Sequence, residues 1–223
     1  MRTRPLILAL AAFAACGLAL NVAAQTTRKA SAIYVPKVGA GSKSRTDGAS
    51  RGEVKDPPVV RVLTPMEAAL VSSDAPTLYW SIDKATDYPC DVIVKTMDDD
   101  QVFQQRFENI KAGGLLFIDM SKGEQKLEPG KDYRFAVYVG TDGKEPAKDI
   151  ESSATIRYVP VQAEAQQQIA AATTPAEKAA AYAGNGYFPD AVATLAKDGS
   201  PESKAMLQDL FDQVKLELTK KPK

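Results

Sequence analysis

The stretch LEPGKDYRFAVYV, residues 127–139, reads as a turn running into a strand, and the tyrosine four residues after Pro129 decides how it is placed. In Greek-key sandwiches a Tyr near the start of the sixth strand turns its ring into the core while its hydroxyl bonds a backbone group a few residues upstream. Leu127-Glu128-Pro129-Gly130 supplies the corner, and Tyr133, Phe135, Val137 and Val139 alternate inward behind it. Each such side chain contributes about 1.5–3 kcal/mol when fully buried. Tyr133 is therefore expected to be structural.

The same texture extends on both sides of this stretch. From Pro57 onward, short β-branched and aromatic runs are separated by turn residues. That rhythm predicts a mainly β chain with an immunoglobulin/fibronectin-III-like antiparallel β-sandwich over residues 57–160. Strands are expected at 59–63, at 77–82 with Leu78, Trp80 and Ile82 on one face, from Cys90 through Val94, at 102–107, at 115–120, within the opening stretch, and at 151–158. Trp80, like Tyr133, is expected in the core.

After Pro160 the period changes to a helical one, predicting a small C-terminal α-helical module over 161–219. Thr174-Pro175-Ala176-Glu177 is a capping box with proline at the first helical position. Ser200-Pro201 caps a last helix, on which Leu207, Leu210, Phe211, Val214 and Leu218 fall at helical spacing. That apolar stripe needs a partner: neighbouring helices or the sandwich, or another protein. Tyr182, Tyr187, Phe188, Leu207 and Phe211 are the candidate contact surface.

At the other end, two arginines precede an apolar run from Leu6 to about Val22, and small residues lead to the polar Gln25. This is the form of a secretory signal peptide, residues 1–24. The run of about 17 apolar residues also sits at the lower limit for a membrane anchor, and Phe13-Ala14-Ala15-Cys16 offers a lipoprotein site at Cys16. Cleavage after Ala24 leaves Cys90 as the only cysteine, so no internal disulfide can form and stability rests on a core. Residues 25–56 carry seven basic against three acidic side chains and little apolar surface beyond Ile33-Tyr34-Val35, which predicts a disordered basic arm.

With the leader removed, 26 basic residues face 28 acidic ones, which gives no reason to expect a nucleic-acid partner. The chain has no histidine, which excludes Ser-His-Asp and Cys-His catalysis and His-ligated zinc. No phosphate or dinucleotide fingerprint is present, and no cofactor is expected. Asp98-Asp99-Asp100 could offer oxygen ligands to calcium, but three acids in a tight turn ordinarily form a solvated hairpin. No residue pair is selected as catalytic.

Tyr182-Ala183-Gly184-Asn185-Gly186, Asp190-Ala191-Val192 and Thr194-Leu195-Ala196, with Pro76-Thr77, the 127–133 corner and Gly48-Ala49-Ser50-Arg51-Gly52, resemble the bacterial domain of unknown function numbered 928, over roughly residues 48–215. The chain departs from that family at Phe188, where a Trp is usual, and at Pro189, where another aromatic is usual. The resemblance implies an exported protein of the periplasm or cell exterior and carries over no catalytic residue. The expected function is a non-enzymatic interaction or adaptor protein of the cell envelope, with an envelope protein as partner and no membrane span after leader removal. The alternative is a carbohydrate-binding or carbohydrate-cleaving domain presenting Tyr79 or Tyr138 to polysaccharide.

Overall fold

A computed structural model describes residues 31–37, 45–50, 58–140 and 150–216. The expected leader, Cys16 and most of the basic arm lie outside the described residues. The described chain is mainly β, with strands in two sheets followed by helices.

The strands are β1 (Thr46–Ser50), β2 (Val60–Val62), β3 (Ala69–Val71), β4 (Thr77–Ile82), β5 (Cys90–Thr96), β6 (Gln101–Phe107), β7 (Gly114–Asp119), β8 (Asp132–Val139) and β9 (Ile150–Tyr158). Among the described residues one sheet runs β1-β9-β8-β5-β6, with β3 also on β9, and the other runs β2-β4-β7. Both sheets feed one apolar cluster, because period-two alternation points one side of each strand the same way. Leu78, Trp80 and Ile82 of β4 meet Cys90, Val92 and Val94 of β5 and Tyr133, Phe135, Val137 and Val139 of β8, all at most 2% exposed.

The opening stretch folds as its spacing implied. The backbone N–H of Glu128 donates to the Tyr133 hydroxyl oxygen at 2.8 Å. Gly130 sits at φ 78°, a conformation that a side chain disfavours, so the corner needs its glycine. A buried polar tie joins the sheets: the Val62 N–H donates to Ser152 Oγ, which itself donates to the Thr46 carbonyl, each at 3.0 Å.

Two features depart from the expectations. The short β3 runs parallel to β9, so the pairing is not wholly antiparallel; three residues following Pro65 carry too little periodicity to announce a strand. The arm, expected to be disordered throughout, is engaged at two places. β1 pairs with β9, and Arg45 is buried, its guanidinium donating to the carbonyls of Thr64 at 2.8 Å and Lys215 at 3.4 Å. Residues 31–37 lie on the helices, where the Val35 N–H donates to the Ala183 carbonyl at 3.1 Å and the Tyr34 ring meets Phe188 edge-on at 5.2 Å. Composition undervalued the arm because its few apolar groups and one arginine find partners that the rest of the chain supplies.

The helices are α1 (Ala163–Ala171), α2 (Pro175–Gly184), α3 (Phe188–Asp198) and α4 (Pro201–Gln213). Thr174 closes the capping box with Glu177, and Ser200 Oγ accepts from the Ser203 N–H at 3.1 Å. A second apolar cluster forms among α2, α3 and α4 and takes in Ala32 and Leu63, with Tyr34 and Tyr79 packed at its margin.

Candidate functional site

The expected contact surface is not on the surface. Phe188 and Phe211 are fully buried, Tyr187 is 3% and Leu207 5% exposed, and Tyr182 is half-buried. Leu207, Leu210 and Phe211 of α4, with Val214 just past its end at Gln213, pack on the neighbouring helices and on Ala32, so the partner of this stripe lies within the chain; Leu218, expected on the same stripe, lies outside the described residues. The Gln213 side chain reinforces this, donating to the Ala32 carbonyl at 2.8 Å and accepting from the Tyr34 N–H at 2.9 Å.

An open cleft of about 990 Å³ forms instead where the helices meet the β2-β4-β7 sheet. Tyr79 and Phe117 supply its sheet wall, their ring centroids 5.6 Å apart, and Phe117 is 50% exposed. Lys178 from α2 and Thr194 and Lys197 from α3 line the opposite wall. Asp119 and Asp198 also reach the cleft. The Ser121 side-chain hydrogen bond holds Asp119 below the usual carboxylate range, and hydrogen bonds from Ser200 and Ser203 do the same for Asp198.

Through Thr77, Lys178 and Thr194 the cleft adjoins a smaller pocket of about 280 Å³ that contains Ser72, Tyr182 and Asp190. Asp190, on the first turn of α3, accepts from the Ser72 backbone N–H at 3.0 Å and from its hydroxyl at 2.5 Å. Burial pushes this carboxyl up to about 6, against the hydrogen bonds from Ser72 that lower it. Asp190 thus clamps α3 to the segment between β3 and β4. Asn185 of the same signature donates its side-chain amide to Ala181 O and Gln168 Oε1, each at 2.9 Å, joining α2 to α1. These signature residues hold the helices in place.

Tyr79 and Tyr138 stand on different sheets, so they form no joint platform. At Asp98-Asp99-Asp100, Asp99 takes φ 70° and pairs with Lys95 Nζ at 2.5 Å. Among the described residues no cluster of three or more acidic, cysteine or histidine side chains could hold a metal ion, and no helix is long and apolar enough to cross a membrane. Cys90 is buried with its thiol pushed up to about 12, foremost by desolvation, which leaves it inert.

The sequence marks Asp190 only as part of a family signature, not as a clamp, and Phe117 not at all. Leu115-Leu116-Phe117-Ile118 was apolar on both faces of one strand, a signal that one of those faces would be left over. For Asp190 the residue type gave none, because the clamp depends on Ser72 arriving from far away in the chain.

Comparison with solved structures finds weak likenesses. An engineered protein with a 1.98 Å crystal structure matches at 13% identity and TM-score 0.32, over 46% of this chain and 20% of that one. A Parabacteroides merdae β-glucuronidase with glycerol in its active site matches at 14% identity and TM-score 0.27, over 44% of this chain and 14% of that one. This chain therefore spans a fifth or less of either relative, and neither likeness bears on its function. No curated protein matches the chain. One family model, described as Domain of Unknown Function (DUF928), matches residues 45–222, from the buried Arg45 through the β sheets and all four described helices, and the chain belongs to that family.

Proposed function

We propose that the protein is exported and acts, without catalysis, as a binding protein of the bacterial cell envelope that engages a partner protein through the cleft between the β2-β4-β7 sheet and the helices. The open cleft itself carries the reading: an exposed aromatic beside a half-buried one, faced by two lysines, is a surface built for contact. The leader-like start supports export, and the absence of histidine leaves no Ser-His-Asp or Cys-His site to supply catalysis. We read the two sheets as an immunoglobulin/fibronectin-III-like sandwich, a reading supported by their shared core and by the Tyr133 corner.

Amine-reactive crosslinking in cells, through Lys178 and Lys197, tests the proposal. A stoichiometric envelope protein captured by the wild type and reduced by Lys178→Ala is the expected result; no captured protein overturns it. A second reading, binding of envelope polysaccharide, is favoured by the Tyr79–Phe117 pair lying among hydrogen-bonding groups. Retention of the purified protein on envelope polysaccharide, lost on Tyr79→Ala, selects that reading.

A further inference from the structure

The edge of β7 poses a question that the cleft does not answer. β7 is the last strand of its sheet among the described residues. Its register pairs Leu78 with Ile118 and Trp80 with Leu116. The Leu63 N–H donates to the Tyr79 carbonyl, and the Met120 N–H to the Pro76 carbonyl. Odd-numbered residues of β4 therefore bond toward β2, and even-numbered ones toward β7. In an antiparallel ladder this alternation is obligatory, so Leu116 and Ile118 bond β4 while the N–H and C=O groups of Leu115 and Phe117 point away from the sheet.

Those same two residues carry exposed apolar side chains, 39% for Leu115 and 50% for Phe117. Edge strands are ordinarily protected by lysine, proline or a bulge. GLLFID contains neither lysine nor proline, and its pairing with β4 is continuous over all six residues. Backbone groups and side chains are thus both prepared for another strand.

We propose that this strand is β7 of a second copy of the chain, paired antiparallel across a two-fold axis at Leu116. In that register Leu115 lies opposite Phe117 of the other copy and Phe117 opposite its Leu115, two directly opposed apolar cross-strand pairs whose side chains come within contact. The single charge of the strand, Asp119, falls opposite Gly113, so no like charges meet. A charged partner strand would find no counter-charge along Gly114–Ile118, whereas β7 matches itself. The contact is isologous, so it closes at two copies, and the two three-stranded sheets become one of six.

Sedimentation equilibrium over a concentration series tests the proposal. The wild-type protein is expected at twice the chain mass. Phe117→Lys removes both cross-strand pairs and should weaken association by about tenfold or more. Leu115→Pro removes an N–H that faces only the open edge, which an edge strand tolerates, so it should give a folded monomer. Met97→Lys alters another exposed apolar residue away from this edge and should leave the dimer intact. Lys178→Ala, which tests the cleft, should also leave it intact, so the two proposals fail separately. A wild-type monomer throughout the series, or a dimer indifferent to both edge variants, overturns the inference.

Discussion

Tyr133→Phe isolates the contact on which the corner depends. The substitution keeps the ring, which is 2% exposed among Phe135, Leu127 and their neighbours, and removes only the oxygen that accepts from the Glu128 N–H at 2.8 Å. A net hydrogen bond contributes about 0.5–1.5 kcal/mol, and a buried donor left without a partner costs about 1–3 kcal/mol. Glu128 lies at a solvent-exposed corner, where water can take up part of the loss, so the lower range applies and about 1 kcal/mol is expected. For a chain of this size that lowers the melting temperature by about 2–4 °C. Tyr133→Ala, which also empties the ring's volume, should cost about 3–5 kcal/mol. Urea unfolding followed by the fluorescence of Trp80, the one tryptophan and fully buried, gives both values. If Tyr133→Phe unfolds at the wild-type midpoint, the hydroxyl does not pin the corner.

Three further outcomes follow from the helical side. Asp190 has a folded pKa of about 6, above its ordinary 3.8, so the folded state holds the extra proton: stability from this group is present below about pH 4 and falls as pH rises through 6, by about 3 kcal/mol at most. Asp190→Asn cannot ionise and should flatten that slope in urea midpoints measured across the range; parallel profiles would contradict the assignment. Phe211→Ala, at a fully buried site in the second core, should cost about 3–5 kcal/mol in thermal unfolding, and a cost near zero would return the stripe of α4 to the surface. Thr174→Ala removes the oxygen that accepts from the Glu177 N–H at 3.1 Å and should cost about 1 kcal/mol, with hydrogen exchange rising first at the start of α2.

Much of the fold could be read from local pattern. Alternation placed Leu78, Trp80, Ile82, Cys90, Val92 and Val94 on buried faces, and they are buried. The capping box at Thr174, the caps at Ser200 and the corner at Tyr133 formed as their spacing implied, because each closes within a few residues. The candidate site was the weak point. Aromatic and apolar residues of the helical module look like a contact surface in the sequence because their partners, Ala32, Tyr34 and Leu63, lie more than a hundred residues away in the chain.

Local sequence was enough to set which residues are apolar, at what period, and where the long strands and capped helices begin, since propensity, capping and turn chemistry act over a handful of residues; the short β1 and β3 escaped it because their pairing partner β9 lies far along the chain. Which apolar faces were consumed and which were left over depended on how the elements came together in space. Leu207, Leu210 and Phe211 of α4 are covered, while Leu115 and Phe117 remain exposed on β7, the last strand of its sheet among the described residues. Asp190, half-buried, became a clamp through a hydrogen-bonding partner 118 positions away. Burial is a property of what arrives from elsewhere in the chain, and no local pattern specifies that arrival.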